Sequence, residues 1–301
     1  MIRKLHEKFL NDRVISISLL KSSDMHRLGL GAVHLQDLLI ESARYILSCG
    51  GRIAYGENLK YREDFNFINV LKELLGAYNT HHEKNSQVKL INYIPYPVYK
   101  LTDYYKDESL SDIVDFIQVP IPDELDEDLS TIIKRERVQD NYIYASSLTL
   151  MRSMMTREVD ALLLGGGPIS GFTGFFPCIL EEAYLAMVQK KPIYLLGGLG
   201  GCARALIELL RGHKSSELNE IDPFQDLKYK ELFDYYKESI EHDIGMTPLS
   251  YEYIINYFGK NGIKSLHNGL NRKENELLFE ASDTLEIIQL VLKGLKQVFK
   301  K

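Results

Sequence analysis

The sequence contains few cysteines and no long apolar run. It has three cysteines in 301 residues, and no two of them are spaced as a C-x-x-C pair. Neither a disulfide framework nor a zinc site is therefore indicated. No apolar run approaches the roughly 20 residues of a membrane span, and the N-terminus is too charged to be a secretory signal. We expect a soluble, cytoplasmic protein that holds no metal and binds no membrane.

An excess of basic charge is also lacking, because 36 lysines and arginines stand against 42 acidic residues. The formal net charge is −6, which speaks against a general nucleic-acid-binding surface. A small anionic ligand is compatible with this charge, because a local basic pocket does not show in the sum. Hydrophobic residues make up 45% of the chain and charged residues 26%, as is typical of a globular protein with a large core. The length alone leaves one or two domains open.

Short apolar segments alternate with segments of helical periodicity. Residues 13–20 are rich in β-branched side chains and predict a strand, and residues 32–49 carry apolar side chains at helical spacing. Strands are also predicted at 52–56, 88–96, 161–166 and 192–198, and helices at 69–79, 146–160, 177–191, 202–212, 224–240 and 284–299. Near-continuous apolar strands are typical of a parallel sheet buried on both faces. We therefore predict an α/β, Rossmann-like, doubly wound, mostly parallel sheet with flanking helices, and an acidic surface excursion at 103–128.

Glycines follow two of the predicted strands. Gly165–Gly167 end one strand, and a Gly-x-Gly-x-x-Ala spacing from Gly198 through Gly200 to Ala203 separates the next strand from its helix. Open α/β sheets bind ligands beyond the carboxyl ends of their strands, where glycine lets the backbone approach a diphosphate closely. A lone spacing of this kind is equally compatible with a tight turn that binds nothing. The occurrence of two such turns favours an anion site.

We expect the turns near Gly51, Gly166 and Gly198 to share the carboxyl edge of the sheet. A valine at position 198 should then abolish ligand binding and leave the fold largely intact, because its Cβ would intrude where backbone meets phosphate. The residues that we predict to contact the ligand are Ser16, Ser18, Gly51, Tyr55, Gly56, Arg152, Gly165, Gly166, Gly167, Gly171, Glu181, Glu182, Gly197, Gly198, Gly200 and Gly201.

Three charged residues near these turns have a functional and a structural interpretation. Arg152 stands among apolar residues, where it is either a clamp for phosphate or carboxylate or a surface side chain with a buried stem. Glu181 and Glu182 fall near the start of a predicted helix, where the helix dipole alone favours acidic residues. A carboxylate at this point is also suited to stabilising an oxocarbenium-like transition state or activating water.

The segment that carries these residues resembles the SLOG superfamily. This Rossmann-like group contains the LOG phosphoribohydrolases and the nucleotide-sensing domain of TRPM channels. LOG proteins carry an Arg-Lys pair, then a strand, then PGGxGTxxE, and here Arg152, Gly165–Gly167 and Glu182 match that pattern. Ser153 stands where the lysine would be, and the Gly-Thr step is replaced by Gly174 and a phenylalanine.

A closer resemblance, to the prokaryotic TRPM-type SLOG branch, rests on several short segments that occur in the same order along the chain, from "ISIS" to "NGLNRKENELLF". It implies one elaborated domain over residues 1–301, with a mainly helical tail from about 215 packed on it. It also implies a sensor of a nucleotide-derived second messenger, such as an ADP-ribose relative or a cyclic nucleotide, in bacterial conflict and antiviral defence. No cofactor is expected, whereas a homo-oligomer and a separate effector protein are. The alternative is a LOG-like N-glycosidase that uses Glu182 and Arg152.

Overall fold

The computed structural model describes residues 8–56, 67–79, 89–101, 108–120, 135–214, 217–218, 226–243 and 249–300. Its strands are β1 (Val14–Leu20), β2 (Arg52–Gly56), β3 (Leu90–Pro95), β4 (Val114–Val119), β5 (Ala161–Gly166) and β6 (Ile193–Leu196). They form a six-stranded sheet in the order β4-β3-β2-β1-β5-β6, and every neighbouring pair is parallel. The predicted α/β fold with a parallel sheet is therefore confirmed.

Helices cover both faces of this sheet. They are α1 (Asp24–Arg27), α2 (Ala32–Ser48), α3 (Phe67–Asn79), α4 (Val98–Leu101), α5 (Glu108–Ser111), α6 (Val138–Glu158), α7 (Cys178–Val188), α8 (Gly201–Leu210), α9 (Leu227–Asp243), α10 (Tyr251–Asn261), α11 (Arg272–Glu280) and α12 (Thr284–Phe299). α9 packs on α6, α10 packs on α8, and α12 packs on α2. Within the described ranges, no helix is both long and apolar enough to cross a membrane.

Strand alternation separates two hydrophobic cores. On β1, Ile15, Ile17 and Leu19 belong to the core beneath α2 and α12. Ser16 and Ser18 point to the opposite face, together with the strand residues that pack under α6, α7 and α8. The serines therefore lie on the same side of the sheet as Arg152 and the paired glutamates.

The acidic segment contains a strand that the sequence did not indicate. β4 is hydrogen-bonded to β3 at the edge of the sheet, so the prediction of a surface excursion is wrong for residues 114–119. Its middle is only partly covered, with Ile117 exposed and Asp115 lying 3.5 Å from Arg52 and 3.4 Å from Lys89. An edge strand needs no continuous apolar run, and that is why the apolar pattern missed it.

Gly51 lies at the amino edge of the sheet and not at the carboxyl edge. It directly precedes β2, whereas Gly166 ends β5 and Gly198 follows β6. The expectation that all three turns share one edge is therefore wrong for Gly51. A Cβ at this position would lie 2.8 Å from side-chain carbons of Leu10 and Ile46, so glycine permits close packing there.

Candidate functional site

The direction in which successive strands are added to the sheet changes between β1 and β5. From β1 the chain adds β2, β3 and β4 on one side, and β5 and β6 extend the sheet on the other. The helices that follow these two strands, α2 and α7, pack on opposite faces. Such a switch point opens a crevice at the carboxyl ends of the two strands, which is where open α/β sheets bind ligands.

The end of β5 is tightly packed against neighbouring chain. Gly166 and Gly167 have φ angles of +65° and +87°, which favour glycine. A Cβ on Gly166 would clash with the carbonyl oxygen of Leu20, and one on Gly167 would lie 2.7 Å from Ile179. Gly165 is enclosed by side chains of β1 and of the turn after β6. The packing of the fold and the positive φ angles therefore account for glycine at these positions without any ligand.

The turn after β6 is filled by the C-terminal part of the chain. A Cβ on Gly197 would lie 2.5 Å from the carbonyl oxygen of Phe279, and one on Gly198 would clash with the carbonyl of Ala281. The backbone of the α11–α12 connection thus occupies the space that we expected for a diphosphate. This close approach overturns the expectation that a valine at position 198 leaves the fold intact.

The start of α8 already has an anionic partner within the chain. The Gly201 N–H donates to Asp24 Oδ2 at 2.8 Å, and a Cβ on Gly200 would clash with the Asp24 side chain. The Ser22 hydroxyl donates to the Leu199 carbonyl at 2.7 Å, which fixes the loop after β1 on this turn. The helix dipole favours negative charge here, and Asp24 supplies it. The sequence analysis missed Asp24, because only the fold brings it to α8.

Three glycines on this edge instead face open space. Among the described residues, and apart from each glycine's own chain neighbours, no atom lies within 4 Å of the position that a Cβ would take on Gly29, Gly31 or Gly171. Gly31 is the N-cap residue of α2 and has an extended backbone, with φ −127°. The first two form a Gly-Leu-Gly step directly before the helix that follows β1. That step was a detectable signal, and our sequence analysis did not use it.

Arg152 is buried in an ion pair with Glu181. The side chain is 1% exposed, and its Nη1 donates to Glu181 Oε2. The Thr149 hydroxyl donates to the other oxygen of the same carboxylate at 2.5 Å. The interpretation of Arg152 as a surface side chain is therefore wrong. A Cβ on Gly174 would lie 3.2 Å from Arg152 Nη1, so this ion pair supports the loop between β5 and α7.

Glu182 is buried beside Glu181 on α7 but contacts a different partner. It is 2% exposed, and the Cys178 thiol donates to its Oε1 at 3.2 Å. Cys178 lies one turn earlier on the same helix, at i and i+4 spacing. The two glutamates therefore differ in surroundings, since Glu181 faces a guanidinium and Glu182 faces a thiol.

The loop between β5 and α7 is anchored by aromatic contacts to α9 and α10. Phe175 stacks on Tyr236 with 4.3 Å between ring centroids, and Phe176 meets Tyr251 edge-on at 5.1 Å. The Tyr229 hydroxyl donates to the Phe175 carbonyl at 2.5 Å. Burial raises the pKa of Tyr236 to about 12, and the negative charge of Glu181 also raises it. The site's loop and the C-terminal helices thus form one packed unit.

Comparison with known protein families identifies a match to this chain. The model of the SLOG cluster2 family aligns with residues 9–278, which run from the start of the described chain into α11. The chain belongs to the SLOG cluster2 family. SLOG domains are generally nucleotide-related. Searches of curated proteins and of solved structures find no match.

In this SLOG cluster2 chain, the predicted site residues separate into groups. Ser16 and Ser18 lie on the sheet face that packs under α6, α7 and α8. Gly56 faces α6, because a Cβ there would lie 2.9 Å from Met151 Sδ. The Ser16 hydroxyl is buried and finds no hydrogen-bond partner in the part of the chain that the structure describes. Tyr55 points to the other face, into the core under α2. Across the described residues, no group of histidine, cysteine and acidic side chains is arranged to hold a metal ion.

Proposed function

We propose that this SLOG cluster2 protein binds a nucleotide-derived anion across the carboxyl ends of β1 and β5 and acts as its sensor. The observation that carries the proposal is the reversal of strand order between these two strands. Ligands bind at such switch points because helix N-termini and free backbone amides converge there. Gly29, Gly31 and Gly171 leave room on this edge, whereas the turn after β6 is filled by Asp24 and the C-terminal segment.

The N-terminus of α2 is the favoured position for the phosphate. α2 has 17 residues and no acidic residue in its first turn, so no carboxylate of that turn neutralises the positive end of its dipole. The side chain that caps this end is His34, whose Nδ1 accepts from the Gly31 N–H at 3.0 Å and brings no negative charge. That end carries about half an elementary charge and commonly binds phosphate groups. The start of α8 is a weaker choice, because its Gly201 N–H already donates to Asp24.

The surroundings of the charged residues favour binding over catalysis. A catalytic carboxylate has to reach the reacting bond of the substrate, directly or through one water. Glu182 is 2% exposed, and Arg152 is already paired with Glu181. The N-glycosidase alternative would need these side chains to be uncovered first. A sensor needs only that the ligand alters the loop between β5 and α7, whose phenylalanines pack on α9 and α10.

We extend the proposal to the biological role that the sequence resemblance implies. The ligand would be a second messenger in bacterial antiviral defence, and a homo-oligomer would pass the signal to a separate effector protein. Family membership supports the nucleotide part of this role. The aromatic contacts between the site's loop and α9 offer a physical route from the ligand to the surface of the C-terminal helices.

The decisive experiment is a panel of nucleotides, NAD and ADP-ribose derivatives incubated with purified protein. Thermal shift reports binding, since a ligand specific for the native state raises stability by RT ln(1 + [L]/Kd). Mass spectrometry of the same mixtures reports cleavage. Stabilisation without a product supports the sensor. Release of a free base would establish the N-glycosidase instead, and no response to any nucleotide would overturn both.

A charge variant locates the ligand. Gly31→Glu places a carboxylate at the start of α2, on an exposed residue whose backbone accepts any side chain. We expect it to weaken nucleotide binding by about tenfold through repulsion, with little change in melting temperature. Gly76→Glu is the matched control, because Gly76 is also exposed and open but lies in α3. Equal affinities in the two variants would contradict the proposed position.

A further inference from the structure

A second cleft lies at the opposite, amino edge of the sheet, beside the start of β6. It has a volume of about 650 Å³. Its walls are the last residues of α8 and α10, the first residues of α11, and the turn at residues 267–271. This volume is within the range of about 300–1,000 Å³ that is typical of small-molecule sites. The cleft is separate from the proposed nucleotide site, which uses the carboxyl edge.

The charged side chains that line the cleft are basic. Arg211, Lys264 and Arg272 contribute to its wall, together with His267 and several asparagines, and no acidic side chain is among the described lining residues. Arg211 is paired with Glu276 at 2.6 Å and with Glu208 and Glu280 at 2.7 Å, so its positive charge is already offset. Lys264 and Arg272 form no ion pair with any residue in the described ranges, and both are exposed.

Helix ends modify this charge but do not reverse it. The C-termini of α8 and α10 face the cleft, and each contributes about half a negative charge. The positive end of the α11 dipole is offset by Glu274, which lies in the first turn of that helix and accepts from the Asn271 N–H. The cations of Lys264 and Arg272 exceed the roughly one negative charge of the two helix C-termini, so the cleft keeps a positive balance of about one charge. Its chemistry therefore favours an anion, with backbone carbonyls and asparagine side chains available for neutral polar groups.

A buried polar network holds the wall of the cleft rigid. Asn268 is 2% exposed, and its side-chain amide donates to the Ile193 carbonyl at 2.9 Å and to Asn275 Oδ1 at 2.8 Å. The Tyr194 hydroxyl donates to the Asn268 carbonyl at 2.9 Å. His267 has a φ of +48°, in the left-handed region that is uncommon for residues other than glycine. The network keeps this turn in place, so that His267 lines the cleft in a fixed geometry.

We propose that this cleft binds a small phosphate-bearing anion, such as a phosphate monoester or a pyrophosphate group. Lys264 and Arg272 would contact the phosphate, and the turn held by Asn268 would position it. Hydrogen bonds to charged groups are stronger than those between neutral groups, so loss of both contacts weakens binding by more than about tenfold. The proposal is independent of the nucleotide site at the other edge.

The test titrates inorganic pyrophosphate into the full chain at constant ionic strength and measures binding by calorimetry. We compare the wild type with the double variant Lys264→Glu/Arg272→Glu. The matched control is Lys260→Glu/Lys273→Glu, which makes the same charge change on exposed residues of α10 and α11 that do not line the cleft. All are repeated in a Gly31→Glu background, which weakens any binding at the carboxyl edge and so separates its contribution from that of the cleft.

We expect the cleft variant to lose at least about tenfold in affinity and the control to lose less than about threefold. Absence of pyrophosphate binding to the wild type would overturn the proposal. So would equal losses in both double variants, which would indicate general surface attraction. Should the charge reversal disturb folding, as judged by circular dichroism, Lys264→Gln/Arg272→Gln makes the same comparison without adding negative charge.

Discussion

Two glycine-containing turns on the same edge of the sheet serve opposite purposes. In the turn after β6, the space beside Gly197, Gly198 and Gly200 is taken by the chain's own atoms, from the α11–α12 connection and from Asp24. In the loop before α2, no other part of the described chain lies near the position that a Cβ would take on Gly29 or Gly31. The first turn carries the better-known Gly-x-Gly-x-x-Ala spacing, yet the second has the room for a ligand.

The difference shows that a glycine motif indicates close contact with the backbone but not whether a ligand or the protein itself makes that contact. Glycine permits positive φ angles and leaves out a Cβ, and either property serves a ligand phosphate and a neighbouring backbone equally well. In this protein the C-terminal helices and Asp24 take the place of the ligand at α8. Substitutions on the two turns should therefore have very different effects on stability.

The largest effect is expected for Gly198→Val. A Cβ at this position would clash with the Ala281 carbonyl, and two backbone segments cannot separate without loss of their packing. We expect a loss of more than about 5 kcal/mol, enough to prevent folding of a domain of ordinary stability. Circular dichroism and size-exclusion chromatography provide the measurement. A folded variant with a normal melting temperature would show that the turn after β6 can open for a ligand.

A large but smaller loss is expected for Arg152→Ala. The variant leaves the carboxylate of Glu181 buried without its guanidinium, which costs about 3–5 kcal/mol in the free energy of unfolding. Urea denaturation measures this change. The double variant Arg152→Met/Glu181→Met should recover most of the stability, because the unpaired charge is gone. If the single variant were as stable as the wild type, the ion pair would not support the loop above it.

Asp24→Ala should have an intermediate effect. It removes the acceptor of the Gly201 N–H and the negative charge at the start of α8, a loss of about 1–2 kcal/mol. The vacated helix end should then bind an anion from solution. The melting temperature of the variant should therefore lie closer to that of the wild type in sulfate than in chloride. Thermal unfolding in the two salts checks both statements. A difference that is the same in both salts would show that α8 has no anion site even without Asp24.

The smallest effect is expected for Gly31→Val. The backbone at Gly31 is extended and the space beside it is open, so the main cost is the poorer N-cap propensity of valine, and we expect a loss of no more than about 1 kcal/mol. Measured beside Gly198→Val, it is the same substitution on the other turn. A loss comparable with that of Gly198→Val would remove the distinction between the two turns.

Much of the fold was predictable because its core strands and helices carry strong periodic patterns. The strands at 13–20, 52–56 and 161–166 and the helix that begins at Ala32 agree closely with β1, β2, β5 and α2. The edge strand β4 was not predictable, since its half-exposed pattern resembles an acidic loop. α10 and α11 were also not predicted, although "NGLNRKENE" contains a capping box, in which Asn271 and Glu274 satisfy each other's backbone amides.

The candidate site was predictable in its residue types but not in its partners. The sequence indicated that Arg152 and the two glutamates belong near the glycine turns, and Arg152 does lie under Gly174. It did not indicate that Arg152 pairs with Glu181, that Asp24 caps α8, or that Tyr229 and Tyr236 cover the loop. These contacts join residues 29 to 177 positions apart along the chain.

By itself, the sequence determined the parallel α/β architecture, because apolar periodicity and turn residues act locally and each segment carries its own pattern. It also indicated the candidate site residues, since few other residue types can replace a glycine in a tight turn, a buried arginine or paired glutamates. Only the tertiary structure decided what those residues contact. The strand order, set by packing between distant segments, put the switch point at β1 and β5 and brought Asp24 and Ala281 to the turn after β6. Local sequence patterns do not predict such long-range contacts, because the energy of each contact depends on the whole fold.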